Sequence, residues 1–319
     1  MTGLFPNHRP VYVIGSYRCY HYSVQIIIIT GISGSGKSIA LAALEDLGFF
    51  CVDNLPAQLL PELVGMEQNR GLKKMAVAMD SRSGSHTEEV LLQLGALKRI
   101  AAQTRIVFLT ANTPTLIARF SETRRRHPLN MPDVAHALNV VPTDRSLTEC
   151  IELERELLAP LAELGMVLDT SDVTAPVLRS WLKEFVHSAQ GHLHDSNVLL
   201  TFVSFAFKQG VPLDADLVFD VRCLPNPYYE PFMRKLTGLD SAVAEYLSLS
   251  DKVNTMLEDI ADFVSKWLPS YMQDGRNYLT VAIGCTGGQH RSVYIASQLA
   301  QKFSAEGRTL VRHRALSRR

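Results

Sequence analysis

The segment GISGSGKS at residues 31–38 has the residue types and spacing of a phosphate-binding loop. Its outer glycines, its lysine and its last serine match the pattern G-x-x-x-x-G-K-[ST]. In such a loop, successive N–H groups point at phosphate oxygens, lysine neutralises phosphate charge, and serine can ligate Mg²⁺. We therefore predict a nucleotide site at Gly31, Ile32, Ser33, Gly34, Ser35, Gly36, Lys37 and Ser38, with Ser38 as the metal ligand.

Phosphoryl transfer or hydrolysis also needs a carboxylate near the metal or the attacking oxygen. Asp53, at the end of a second predicted strand, is the first candidate and would act with Lys37 and Ser38, and Asp80 is the second. Either aspartate is equally well explained as a turn or cap residue. The strand RIVFLTA carries Thr110 where a Walker-B carboxylate is expected, which predicts slow catalysis.

Four arginines fall within the short segment ARFSETRRRHPL, at positions 119, 124, 125 and 126. Small P-loop kinases use such a segment as a lid that clamps the transferring phosphates. A solvated basic helix face is the alternative interpretation, and the sequence favours neither.

A second candidate anion site is GCTGGQHRS at residues 284–292. Cys285 and Arg291 have the C-x₅-R-S spacing of cysteine-dependent phosphatases, in which a thiolate attacks a phosphate held by backbone N–H groups and arginine. A loop that only binds an anion, through Thr286, Gly287 and Arg291, needs no reactive thiol. We favour this second interpretation because cysteine is also a common small buried residue.

The segment RTLVRHRALSRR at residues 308–319 has five arginines and no acidic residue. Such side chains can pair with phosphates or stack on RNA bases. A solvated, frayed terminus is the alternative.

The overall composition narrows the class of protein. Lys plus Arg and Asp plus Glu both number 32, so net charge alone indicates neither nucleic acid nor membrane as a partner. The five cysteines are widely spaced and form no C-x-x-C pair, which argues against a disulfide framework or a zinc site and favours a reducing cytoplasm. The longest early apolar run, VQIIIITGI, is too short to span a bilayer.

Short apolar runs alternate with helix-like segments from QIIIIT (25–30) to a closing helix at 173–188. This rhythm predicts a doubly wound parallel sheet with helices on both faces. The polar segment AQGHLHDSN follows, so a domain boundary is expected near 189–197. Further strands at VLLTFVSFAF, ADLVFDVR and NYLTVAIG predict a second α/β domain.

Several stretches together are distinctive: GISGSGKSIALAALEDLGFFCVDNLP, RRRHPL, VSFAFKQGVPLDADLVFDVRCLPNPYY, LTGLD and YLTVAIGCTGGQHRSVYIASQLA. They resemble the RapZ/YvcJ family of bacterial nucleotide-binding proteins from about Gln25 to Arg319. The division implied is an extension at 1–24, a P-loop domain at 25–190 and an anion- and RNA-binding domain at 191–319. The extension precedes the usual family start, so Val24 is a candidate initiation site.

The resemblance implies ATPase and GTPase activity with Mg²⁺ in the N-terminal domain, with a mainly regulatory role. ATP would bind Gly31 to Ser38, and GTP a second segment formed by Asp80, Ser81, Arg82 and Ser83. The C-terminal domain would be similar to a phosphofructokinase subdomain and, in the RapZ branch, would bind RNA and an amino-sugar phosphate such as glucosamine 6-phosphate.

In that branch the protein is an adapter that presents a small regulatory RNA to the endonuclease RNase E and so controls amino-sugar synthesis. The family's anion-site positions fall on Thr286, Gly287 and Arg291, and its basic tail provides Arg312, Arg314, Arg318 and Arg319 for RNA. A cytoplasmic homo-oligomer without a membrane partner is expected. Thr110 and Gln289 depart from the family pattern, which puts hydrolysis and RNA affinity in doubt.

Overall fold

The computed structural model describes residues 24–80, 87–100, 103–140, 145–188, 198–274, 276–304 and 309–316. These residues form two parallel β-sheets covered by helices, which confirms the predicted α/β fold with a P-loop sheet and a second α/β domain. Residues 1–23 of the extension predicted at 1–24, and the boundary predicted at 189–197, lie outside the described residues. In the described ranges, no helix is both long and apolar enough to cross a bilayer.

The first sheet has five parallel strands in the order β2-β3-β1-β4-β5. The strands are β1 (Gln25–Gly31), β2 (Phe50–Val52), β3 (Lys74–Ala78), β4 (Gln103–Thr110) and β5 (Met166–Asp169). Strand β1 is central because its unbroken isoleucine run can be buried on both faces of a parallel sheet. Ile26 and Ile28 enter the core on one face, and Ile27 and Ile29 enter the core on the other.

Seven helices accompany this sheet in the described ranges. They are α1 (Lys37–Asp46), α2 (Leu60–Asn69), α3 (Thr87–Ile100), α4 (Thr113–Thr123), α5 (Pro132–Ala137), α6 (Leu147–Ala162) and α7 (Ala175–His187). Helices α2, α3, α4 and α6 bury their apolar residues on one face of the sheet, and α1 and α7 bury theirs on the opposite face.

The second sheet has four parallel strands in the order β7-β8-β6-β9. Its strands are β6 (Leu199–Ala206), β7 (Leu217–Asp220), β8 (Tyr278–Cys285) and β9 (Thr309–His313), and its helices are α8 (Ser241–Ser248), α9 (Asp251–Gln273) and α10 (Arg291–Phe303). The three helices pack on one face of the sheet around a core that includes Phe202, Val281 and Ile295.

Strand β9 corrects the sequence interpretation of the C-terminal segment, which we had treated as a basic tail. Residues 309–313 pair with β6 instead of fraying. Arg312 and Arg314 are buried and make ion pairs with Asp214 and Asp169, at 2.8 and 3.1 Å. Because both guanidinium groups already face carboxylates inside the protein, this arrangement argues against their predicted contact with RNA. The other two predicted RNA residues, Arg318 and Arg319, lie outside the described residues.

Helix α7 and the buried ion pairs join the two sheets. Phe185 of α7 packs in the core of the first sheet and lies 6.5 Å, between ring centroids, from Tyr278 of the second sheet. The guanidinium of Arg312 stacks on the ring of Trp181 at 5.1 Å. The carboxylate of Asp214 also accepts a hydrogen bond from the backbone N–H of Asp169, at 3.3 Å. The contact between the sheets therefore combines apolar packing with buried charge.

His313 provides a test of this packing through the pH dependence of stability. Its ring nitrogens lie 2.9 Å from the hydroxyl of Ser204 and 3.4 Å from that of Ser297. Burial lowers the pKa of His313 from 6.5 to about 4. As pH falls from 6.5 to 4, the unfolded chain therefore binds a proton that the folded protein does not, and stability decreases.

We expect the free-energy difference of unfolding between wild type and His313→Gln to shrink by up to about 3 kcal/mol between pH 7 and pH 4. Urea denaturation at a series of pH values measures this difference, and His136→Gln, at an exposed position, is the control. A difference that does not change with pH would contradict a neutral, buried His313.

Candidate functional site

The predicted phosphate loop connects β1 to α1, as the motif requires. Gly36 precedes α1 with φ of 105°, a left-handed conformation that other residues adopt only with strain. As a glycine, Gly36 has no side chain that could cap the start of α1. The N–H groups of the first helical turn therefore need an acceptor from outside the helix, and a phosphate group satisfies that need.

The loop forms one wall of a cavity of about 580 Å³. All residues from Ser33 to Ser38 line it, together with Asp80 and the arginines at positions 119, 125 and 126. Most of the predicted nucleotide-binding loop and part of the predicted arginine lid thus lie around a single space. Arg124 is not part of this lining; it ends α4 in a left-handed conformation, with φ of 51°.

Lys37 is buried and bends back over the loop. Its Nζ donates hydrogen bonds to the carbonyl oxygens of Gly31 and Ile32, at 2.7 and 3.3 Å. The ammonium group therefore lies within the loop that carries it, where it provides positive charge at the cavity wall.

Arg119 and Thr170 donate hydrogen bonds to the later carbonyl groups of the loop. Arg119 donates to the carbonyl oxygens of Gly34 and Thr170, at 3.1 and 2.7 Å, and the hydroxyl of Thr170 donates to the carbonyl of Ser35 at 2.8 Å. Burial lowers the pKa of the Arg119 guanidinium, and the nearby carboxylate of Asp169 opposes this effect. Arg119 is therefore a structural support of the loop as well as part of the cavity wall.

A buried carboxylate that sequence reasoning missed supports the loop from behind. Glu154 of α6 is fully buried and accepts hydrogen bonds from the backbone N–H and the hydroxyl of Ser33, at 2.8 and 2.7 Å. His127 lies 3.2 Å from the same carboxylate. The Nδ1 of His127 accepts from the backbone N–H of Leu129, so Nε2 carries the proton and donates to Glu154. His127 directly follows Arg126 in the arginine segment, so this contact anchors that segment to the phosphate loop through Glu154.

The structure reverses the predicted order of the two candidate aspartates. Strand β2 is at the edge of the sheet, with β3 between it and β1, and Asp53 after β2 is exposed and does not line the cavity. Asp80 follows β3 directly beside β1 and lies in the cavity wall. Asp80 is therefore better placed than Asp53 to reach a metal ion held by Ser38. The other residues of the predicted GTP segment, 81–83, lie outside the described residues.

Thr110, which stands where a carboxylate was expected, has a structural role at the end of β4. Its hydroxyl accepts a hydrogen bond from Arg155 at 3.1 Å, and its carbonyl accepts from the backbone N–H of Thr170 at 2.7 Å. We expect Asp80 to take the role of the carboxylate near the metal instead. It follows β3, which lies on the other side of β1 from β4.

The second predicted anion site, at residues 284–292, connects β8 to α10. We call this loop the second cradle and the phosphate loop at 31–38 the first. Cys285, the last residue of β8, is 2% exposed; its sulfur accepts from the backbone N–H of Gly288 at 3.2 Å and lies 3.1 Å from the hydroxyl of Ser292. Thr286 and Gly287 are exposed at the tip of the loop. The accessible part of the loop is therefore its backbone and the threonine, while the thiol is enclosed.

Arg291 lies beneath this loop with its guanidinium buried. It donates to the carbonyl oxygens of Arg222 and Leu224, at 2.7 and 3.1 Å, and to the hydroxyl of Thr286 at 3.5 Å. Among the residues that the structure describes, Arg291 has no carboxylate within ion-pair distance, although its charge helps, after the stronger effect of Arg222, to lower the pKa of Asp220. The Nε of Arg291 has no hydrogen-bond partner among these residues. A buried positive charge in this state is suited to an anion bound at the loop.

Family comparisons agree with this architecture. Residues 24–190 match the RapZ-like N-terminal domain, and residues 198–317 match the RapZ C-terminal domain. The chain belongs to the RapZ family. This confirms the family resemblance that the sequence motifs indicated.

Close relatives extend over nearly the whole chain. Nucleotide-binding protein azo0399 of Azoarcus sp. (strain BH72) is 53% identical over 296 residues, which cover 93% of this chain and 96% of the relative. A nucleotide-binding protein of Cupriavidus metallidurans is 52% identical over 297 residues, which cover 92% of this chain and 99% of the relative. A shikimate kinase from Bacteroides thetaiotaomicron aligns with 51% of this chain and 98% of its own length, at 14% identity and a TM-score of 0.35, a likeness too weak to add to the assignment.

The positions of the two aspartates lead to a direct test with magnesium and ATP. If the cavity binds a magnesium nucleotide, we expect Asp80→Asn to abolish most of the Mg²⁺-dependent gain in ATP affinity, because the substitution removes a charged oxygen from the cavity wall that also contains Ser38. Asp53→Asn is the matched control and should behave as wild type. Calorimetric titration with and without Mg²⁺ measures both variants, and loss of the gain only in Asp53→Asn would restore the original order.

Proposed function

We propose that this protein binds the magnesium complex of ATP or GTP in the cavity beside α1, and that nucleotide binding serves regulation more than rapid turnover. One observation carries the proposal: six consecutive residues of the phosphate loop line a cavity that also contains Asp80 and three arginines. The names of the relatives, nucleotide-binding proteins, support the same ligand class.

The residues around the cavity fit a magnesium nucleotide. The hydroxyl of Ser38 and the carboxylate of Asp80 are hard oxygen donors of the type that Mg²⁺ prefers. The hydroxyl of Ser35 is buried in the loop and has no hydrogen-bond partner among the residues described. Mg²⁺ held by the oxygens of Ser38 and Asp80 would neutralise phosphate charge. Lys37 and the arginines at 119, 125 and 126 would supply the remaining positive charge.

We further propose that the loop between β8 and α10 binds the phosphate of an amino sugar such as glucosamine 6-phosphate. The exposed backbone at Thr286 and Gly287 and the buried charge of Arg291 support this assignment. The enclosure of Cys285 disfavours the alternative of a cysteine-dependent phosphatase, since a nucleophilic thiolate has to reach its substrate.

The adapter role is the third part of the proposal. Membership of the RapZ family supports a cytoplasmic protein that binds a small regulatory RNA and presents it to RNase E. Cys51, Cys150, Cys223 and Cys285 are free thiols, in keeping with a reducing compartment. Because Arg312 and Arg314 are held in internal ion pairs, we assign the RNA contact of this segment to Arg318 and Arg319.

One observation favours a second candidate, a small-molecule kinase. Arg125 and Arg126 line the same cavity as the phosphate loop, as the lid of such a kinase would. Transfer of the γ-phosphate to a metabolite faster than to water would distinguish the kinase from a regulatory nucleotide-binding protein.

Lys37→Ala tests nucleotide binding. Loss of the ammonium group should weaken the affinity for Mg²⁺–ATP and Mg²⁺–GTP about 10- to 100-fold, since a charged hydrogen bond contributes roughly 1.5–3 kcal/mol. Isothermal titration calorimetry gives the affinities, and Lys183→Ala, at an exposed position on α7, is the control. Equal affinity in wild type and Lys37→Ala, or no binding heat in wild type, would contradict the proposal.

The RNA contact calls for substitution instead of truncation, because removing residues 308–319 would also delete β9. In the double variant Arg318→Ala, Arg319→Ala, we expect RNA crosslinked in cells to decrease strongly relative to wild type. The control is Arg179→Ala combined with Lys183→Ala, two exposed cations on α7. Recovery of the same RNA in equal amount from the tail variant would rule out this assignment.

A further inference from the structure

The residues after β9 pack directly on the second cradle. A Cβ atom added to Gly288 would lie 2.7 Å from the Cβ of Ala315 and 2.9 Å from that of Ala206. Gly288 has φ of 66°, a left-handed conformation that favours glycine, and these neighbours leave no room for a side chain there. A shift of the loop on binding an anion would therefore press on Ala315 or release it.

The neighbour of Ala315 makes an ion pair across the contact between the sheets. Nη2 of Arg314 lies 3.1 Å from Oδ2 of Asp169, and the two side chains are 9% and 2% exposed. The other oxygen of Asp169 accepts from the backbone N–H of Ser171 at 2.8 Å. Because an unpaired buried charge is costly, Arg314 and Asp169 should move together.

Asp169 is in turn next to a residue that holds the phosphate loop. The hydroxyl of Thr170 donates to the carbonyl of Ser35, and its own carbonyl accepts from Arg119, which also donates to Gly34. A displacement of Asp169 therefore reaches two carbonyl groups of the loop through one residue. The carbonyl of Ser35 belongs to the same planar peptide as the N–H of Gly36, so a movement of this carbonyl also turns an N–H group at the cavity wall.

A second ion pair reinforces this connection. Arg312 and Asp214 are almost fully buried, and Asp214 also accepts from the backbone N–H of Asp169. In addition, Asp169 accepts from the backbone N–H of Leu213 at 3.1 Å. Several contacts with the C-terminal domain therefore fix the position of Asp169.

We propose that Arg314 and Asp169 are positioning residues that couple the two cradles, so that occupancy of the β8–α10 loop changes the affinity of the β1–α1 loop for nucleotide. The inference rests on the proposed function at both loops. By linkage, nucleotide must change the affinity for the second ligand by the same factor.

Calorimetry in a four-way design tests the coupling. A non-hydrolysable ATP analogue with Mg²⁺ is titrated into the full-length protein with and without saturating glucosamine 6-phosphate, and the reciprocal titration is done with saturating nucleotide. The coupling factor is the ratio of the two nucleotide affinities. In wild type we expect a factor of about 5 or more, equal in both directions.

Two kinds of variant interrupt the connection. In Arg314→Gln and Asp169→Asn, the coupling factor should fall to within about 2-fold of unity, and Arg314→Lys, which keeps the buried charge, should restore part of it. Ala315→Gly changes no charge and should lower the factor by loosening the contact with Gly288, which keeps the test decisive if a charge variant does not fold. Arg276→Gln breaks an ion pair of similar length, 2.9 Å to Asp216, within the C-terminal domain, and should leave the factor unchanged.

The outcomes separate the two proposals. If both ligands bind wild type but neither affects the other, the coupling is wrong and the proposed function stands. If the factor is equal in wild type, Arg314→Gln and Ala315→Gly, coupling exists but does not pass through this contact, and the assignment of Arg314 and Asp169 is overturned. If neither ligand binds wild type, the proposed function itself fails.

Discussion

The conformation of the phosphate loop depends on hydrogen bonds that three side chains donate to its carbonyl groups. A loop that turns tightly around a cavity buries several of its carbonyl groups, and these buried acceptors need donors. Lys37 serves the first two carbonyls, Arg119 the carbonyl of Gly34 and Thr170 that of Ser35. These donors come from α1, α4 and the residue after β5, so the fold of the first domain is what brings them to the loop.

The same principle appears in the second domain with a different side chain. Arg291 donates to two carbonyl groups of the segment after β7 and so fixes that segment beside the loop after β8. Both cradles therefore use a cation that belongs to the cradle itself to organise the surrounding backbone. In each case the cation remains close enough to attract an anionic ligand.

The sequence predicted features that depend on local residue order, and it missed those that depend on strand order. The glycine and lysine spacing at 31–38 and the isoleucine run before it identify the loop, the strand and the parallel sheet. The choice between Asp53 and Asp80 depends on whether β2 or β3 lies next to β1, which no local pattern records. In the sequence, nothing distinguishes Glu154 from the other acidic residues of an amphipathic helix. Its role is visible only from its contact with Ser33, which is 121 residues away.

The C-terminal segment was misjudged for a related reason. RTLVRHR has only two apolar residues, which are adjacent, and its arginines suggested solvent exposure because charged groups are rarely buried. Arg312 and Arg314 are buried because partners at Asp214 and Asp169 are provided by distant parts of the chain. A strand pattern with charges on one face is compatible with burial when the opposing surface carries matching acids.

The placement of β6 has a consequence for how the protein is made. This strand is buried along its whole length, yet both of its neighbours in the sheet, β8 and β9, come much later in the chain. While the ribosome synthesises β7, α8 and α9, an apolar strand with two unpaired edges is present without its partners. Such an intermediate is prone to aggregation, so the yield of native protein should depend on chaperones that shield this strand during translation.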